Sequence, residues 1–101
     1  MRVLYKAPGE APRTMVIPNE LGVLQQLVGG YIEVVKIGRI LIIVNEEGKL
    51  EQLEKNFRVE AYDDTICGSA VFVRANGAEF DSLTGKDIEE LREAFREGDT
   101  I

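Results

Sequence analysis

Apolar residues follow two periods along this chain, and the switches between them mark its elements. Two short runs, Arg2–Lys6 and Arg13–Ile17, are rich in Val, Leu, Tyr, Met and Ile and are separated by Ala7-Pro8-Gly9-Glu10-Ala11-Pro12. Two prolines and a glycine so close together interrupt a strand and reverse it, which predicts an N-terminal β-hairpin. Pro18-Asn19 stops the second strand. Asn19 is the predicted helix cap, with Glu20 in the first turn where the helix dipole favours a negative charge. Leu21, Leu24, Leu27 and Val28 then make one apolar stripe, closed by Gly29-Gly30. So short a helix is marginal alone and must lie on a sheet.

Tyr31–Ile37 alternates, with Tyr31, Glu33, Val35 and Ile37 on one side and Ile32, Val34 and Lys36 on the other. Gly38-Arg39 gives the commonest hairpin loop length, with glycine first as a type II′ turn prefers. The run Ile40–Val44 is apolar throughout, which predicts a central strand with the helix on one face and further apolar cover on the other. Asn45-Glu46-Glu47-Gly48 reverses the chain. Lys49–Asp64 reads two ways: Leu50, Leu53 and Phe57 share a face as a helical turn and loop, or Lys49–Gln52 is a short strand pairing back onto Ile40–Val44. The strand is favoured, followed by a loop through Glu54-Lys55-Asn56. Thr65–Arg74 is predicted as the last strand, with Gly68-Ser69 as a bulge in its middle.

Asn76-Gly77 turns the chain towards a second helix. Thr84 and Asp87 form an acidic variant of the capping box, and Ile88, Leu91, Ala94 and Phe95 supply the apolar stripe. Together these elements predict an α+β fold: a mostly antiparallel sheet of about five to six strands with two helices, in the order β-β-α-β-β-(β)-β-α. One domain is expected over residues 1–101.

Composition narrows the class. With 45% hydrophobic and 30% charged residues the chain is of the ordinary globular kind. Its longest apolar run is far shorter than the roughly 18 residues of a membrane span. No charged-then-apolar leader opens the sequence, and the single Cys67 cannot form an internal disulfide. These features lead to the expectation of a soluble, cytoplasmic protein with no membrane partner.

The net charge of −6 is unevenly spread: residues 79–101 hold eight acids and three bases, whereas residues 1–78 hold ten acids and nine bases. Such an acidic end disfavours direct nucleic-acid binding and favours a basic partner, or serves solubility alone. Glu89, Glu90 and Glu93 on the second helix are the candidate partner-binding residues.

Candidate chemistry is sparse. The chain has no histidine, the commonest general base and transition-metal ligand. Cys67 sits beside Ile66 in a predicted strand, where a small buried residue is the ordinary interpretation. The acid pairs Glu46-Glu47 and Asp63-Asp64 lack the spacing of a calcium loop and suit turns. No catalytic group, metal or cofactor is therefore expected, and the chain is expected not to be an enzyme. Gly30, Tyr31, Arg39, Lys55, Arg58 and Tyr62 are the candidate ligand-groove residues, a combined stacking and cationic surface for a nucleotide-like ligand.

Several segments taken together resemble one family. They are Val28-Gly29-Gly30-Tyr31-Ile32-Glu33-Val34-Val35, the apolar strand closing on Asn45-Glu46-Glu47-Gly48-Lys49-Leu50, Gly68-x-x-Val71-Phe72-Val73, and Phe80-x-Ser82-Leu83-Thr84 before an acidic helix. In this order they resemble the domain of unknown function 3846, small proteins many of which are carried by phages, plasmids and integrated elements of Gram-positive bacteria. One departure is Glu54-Lys55-Asn56-Phe57-Arg58, where relatives have a proline-containing segment. The resemblance transfers no catalytic residue. It implies a mobile-element accessory protein, whose expected partner is a host or element-encoded protein. A homodimer formed by pairing exposed sheet edges across a two-fold axis is the other expected association.

Overall fold

The computed structural model describes all residues, 1–101. Its strands are β1 (Arg2–Lys6), β2 (Arg13–Val16), β3 (Ile32–Ile37), β4 (Ile40–Asn45), β5 (Lys55–Val59), β6 (Asp64–Cys67), β7 (Ala70–Asn76) and β8 (Glu79–Asp81). The helices are α1 (Leu21–Val28) and α2 (Gly85–Arg96). Six strands make one antiparallel sheet in the order β2-β1-β7-β4-β3, with β8 also paired to β7. Strands β5 and β6 form a separate antiparallel pair. The α+β architecture is thus as the pattern predicts, with β7 as the central strand.

Alternation along the central strands divides the core in two. On one face Val3, Ile43, Val71 and Val73 meet Leu24 and Val28 of α1. On the other, Leu4, Ile42, Val44 and Phe72 meet Phe57, Val59 and Ile66 of the β5–β6 pair, and Ile88, Leu91 and Phe95 of α2 pack against this cluster. Ile42 and Ile43 are both fully buried, on opposite faces. This two-sided cover is why Ile40–Val44 can be apolar at every position. Each such buried side chain contributes about 1.5–3 kcal/mol relative to exposure.

Local signals explain most of the boundaries. The N-terminal hairpin, the β3–β4 hairpin and the capping box of Thr84 and Asp87 all form as expected. Gly29 takes the left-handed conformation, and the Gly29 and Gly30 amides both donate to the Gln25 carbonyl, closing α1. The start of α1 departs from expectation. Its cap position is Glu20, with no side-chain cap bond, while Asn19 Nδ2 donates to the Phe80 carbonyl and ties the loop to β8 instead.

The segment after β4 is where the expected pairing fails. Residues 46–52 are not a strand on Ile40–Val44 but a series of turns, closed by Glu51 N–H to the Glu47 carbonyl and Leu53 N–H to the Gly48 carbonyl. The expected loop at Lys55-Asn56 is instead the start of β5. Thr65–Arg74 is not one bulged strand either. The chain leaves β6 at Gly68, where φ is +90°, and re-enters the main sheet as β7, so Gly68-Ser69 is the corner between two sheets. No helix is long and apolar enough to cross a membrane.

Candidate functional site

Strand β3 ends the main sheet on one side and β2 ends it on the other. The two edges differ in what they expose. The Tyr31 carbonyl accepts from Glu46 N–H beside β4, so the odd residues of β3 turn their backbone inward and Ile32, Val34 and Lys36 turn theirs outward. The Tyr62 hydroxyl donates to the Lys36 carbonyl and occupies the far end of this edge. The N–H and C=O groups of Ile32 and Val34 face no neighbouring strand.

At β2 the edge is shorter. Pro12 and Pro18 bracket it, and Arg92 of α2 reaches across to donate to Thr14 Oγ1 at 2.9 Å. Prolines, charges and shortness are the usual protections of a sheet border. β3 has no proline and is half as long again.

Apolar exposure follows the same asymmetry. Of the six large hydrophobic residues left exposed, four border the β3 edge or the segment beside it: Tyr31 at 73%, Val34 at 41%, Leu50 at 83% and Tyr62 at 56%. Beneath the edge, between β4 and β6, lies a hollow of about 160 Å³ lined by Glu33, Glu46, Lys49, Leu50, Asp64 and Cys67 among others. Lys49 Nζ donates to Asp64, and this bond holds the ammonium above its ordinary pKa range. Glu33 also lies within electrostatic reach of Lys49, but three carboxylates, Glu33, Glu46 and Asp64, share that single ammonium, so the hollow carries negative charge on balance.

Asn45 anchors this end of the molecule. It is buried; Nδ2 donates to the Val28 carbonyl, and Oδ1 accepts from Glu47 N–H at 2.8 Å. One side chain thus joins the exit of α1 to the Glu46–Gly48 turn.

The six residues expected to form one ligand groove are dispersed. Gly30 and Tyr31 line a concavity of about 340 Å³ with Gln25, Asn45, Glu47 and Glu51, which contains no cationic residue. Tyr62 lines a different one of about 350 Å³ with Val34, Lys36 and Asp64. Arg39 lies at the opposite end of the β3–β4 hairpin from Gly30, because the strand carries it there. Lys55 opens β5 opposite Cys67, and Arg58 pairs with Asp63, whose carboxylate holds the guanidinium above its ordinary range.

The candidate partner-binding acids are all exposed on α2. Two have cations nearby: Glu93 pairs with Arg96 at 2.6 Å, and Glu90 lies 3.9 Å from Lys86. Glu89 is in no ion pair.

Two polar constellations escaped the sequence. Lys6 is buried, donates to Asn56 Oδ1 at 2.7 Å, and lies 3.4 Å from Asp99 and within 6 Å of the Phe57 and Phe95 rings. Asn56 Nδ2 in turn donates to the Lys6 and Gly68 carbonyls. The one signal was parity, since Lys6 shares a strand face with Leu4. Arg74 of β7 grips both carboxylate oxygens of Asp87 at 2.7 Å. Nothing in their spacing points to that pair. No group of three or more His, Cys, Asp or Glu side chains converges as metal ligands would.

Neither the curated proteins nor the solved structures include a match to this chain. A family model described as a domain of unknown function, DUF3846, matches residues 1–96, nearly the whole length. The chain therefore belongs to the DUF3846 family.

Proposed function

We propose that this chain is a non-enzymatic protein-interaction module, an accessory protein of a mobile element that acts by binding a host or element-encoded protein. The observation that carries the proposal is the gathering of Tyr31, Val34, Leu50 and Tyr62, all exposed, around one uncovered sheet edge. Exposed apolar side chains grouped beside unpaired backbone are a common mark of a surface that another chain covers. The α2 ridge is a weaker contender, because Lys86, Arg92 and Arg96 intersperse its acids.

Cross-linking of the full chain in its native host, read by mass spectrometry, tests this. A partner captured by the wild-type chain should be lost from Tyr31→Ser/Leu50→Ser and retained by Glu89→Lys/Glu90→Lys/Glu93→Lys. The same partners on all three chains would overturn the assignment of this surface.

A second reading is a small-ligand binder. The concavity beside Gly30 and Tyr31, at about 340 Å³, is of ligand size. Its carboxylates, Glu47 and Glu51, oppose a phosphate-bearing ligand and suit a neutral or cationic one. Thermal-shift screening separates the readings, since ligand at a hundred times its Kd adds about 2.7 kcal/mol.

A further inference from the structure

We infer that the occupant of the β3 edge is an extended segment of the partner protein, added as one more strand and carrying a basic side chain opposite Glu33. This rests on the interaction-module reading and specifies its site and chemistry. The backbone of Ile32 and Val34 presents two donors and two acceptors at strand spacing, the pattern by which main-chain pairing recruits a peptide. Tyr62 ends the open stretch by its bond to the Lys36 carbonyl, so the added strand is short.

Side chains set the partner's character. Glu33 is exposed and borders the acidic hollow with Glu46 and Asp64, where only Lys49 is cationic. A Lys or Arg across from Glu33 finds complementary charge there, and an acid is repelled. On the other face of the edge, Val34 offers apolar contact to the flanking positions.

A second copy of this chain fits poorly. Outward residues pair only with outward residues in an antiparallel ladder. Pairing Ile32 with Val34 of the second copy sets Glu33 directly against its own counterpart, a like-charge contact. A two-fold centred on Val34 needs the Lys36 carbonyl that Tyr62 already occupies, and one centred on Ile32 needs the Gly30 amide that already donates to the Gln25 carbonyl.

Selection of random phage-displayed peptides against the full chain tests this. Extended peptides with a basic residue between alternating apolar ones should be enriched, and should protect the Ile32 and Val34 amides from hydrogen exchange. Val34→Pro removes an outward N–H that makes no internal bond, so the sheet is expected to survive, as circular dichroism will check. Binding should fall roughly tenfold in Val34→Pro and again in Glu33→Lys, with Glu33→Lys preferring acidic peptides.

Failure to enrich any peptide family, or equal binding by Val34→Pro, would overturn strand addition. Unchanged binding by Glu33→Lys would overturn the basic occupant. A concentration-dependent dimer abolished by Val34→Pro would assign the edge to a second copy and overturn the inference. Host partners that survive Val34→Pro yet vanish with Tyr31→Ser/Leu50→Ser would remove strand addition while leaving the interaction module standing.

Discussion

Asp87 closes the capping box of α2 through the Thr84 N–H and holds Arg74 of β7 through both carboxylate oxygens. Partial burial pushes its carboxyl up, but the Thr84 hydrogen bonds and the Arg74 guanidinium together outweigh that and leave it below the usual carboxylate range. A carboxylate whose folded pKa is depressed adds stability that is present above its unfolded pKa of about 4 and is lost as pH falls through the lower folded value. Asp87→Asn should therefore cost about 1–3 kcal/mol at neutral pH, a charged hydrogen-bonded pair being worth that much. The difference between the two chains should shrink below about pH 4. Urea unfolding across pH 3–7 measures it, and a pH-independent gap would contradict the argument. Lys6 is the opposite case at this scale: a buried cation satisfied by Asn56 and two aromatic rings, within reach of an exposed Asp99.

At the scale of elements, the turns after β4 hold the two layers together. A Cβ on Gly48 would lie 2.5 Å from the Cys67 carbonyl oxygen, a backbone atom that cannot swing aside. Gly48→Ala should therefore cost about 1–3 kcal/mol, the range for overpacking a tight contact. Thermal unfolding monitored by circular dichroism checks it, and an unchanged midpoint would show that the turn shifts freely. This same segment was the least legible in the sequence. The helices and two hairpins announce themselves by period, caps and turn residues. β5 does not, because Asn56 takes a buried position by bonding to Lys6 and Gly68, where a hydrophobic pattern would have marked the strand. Gly68-Ser69 looks like a bulge in one strand until the Asn56 contacts place β6 in a second sheet. Of the expected groove, Gly30 and Tyr31 fall beside the edge. Arg39 lies apart from them because the extended strand β3 carries the chain to the other end of the hairpin.

For the whole molecule, centrality in the sheet orders the stability of its parts. β7 is hydrogen-bonded on both sides, by β4 and by β1 and β8, and Val71, Phe72 and Val73 are fully buried. Their amides should exchange slowest, near the global unfolding limit of roughly 5–10 kcal/mol for a chain of this size. The outward amides of Ile32 and Val34 should exchange orders of magnitude faster. Native-state hydrogen exchange by NMR measures both, and protected Ile32 and Val34 amides in the isolated chain would mean that the edge is already covered.

The last residues have their own consequence. Arg58 N–H donates to the Asp99 carbonyl, Ile101 N–H to the Arg58 carbonyl and Glu60 N–H to the Ile101 carbonyl, so residues 99–101 flank β5 as a parallel ribbon. Deleting residues 97–101, which lie beyond the family match, would be surgery on the scaffold. It would strip β5 of its outer neighbour and leave the Lys6 ammonium without the Asp99 carboxylate beside it.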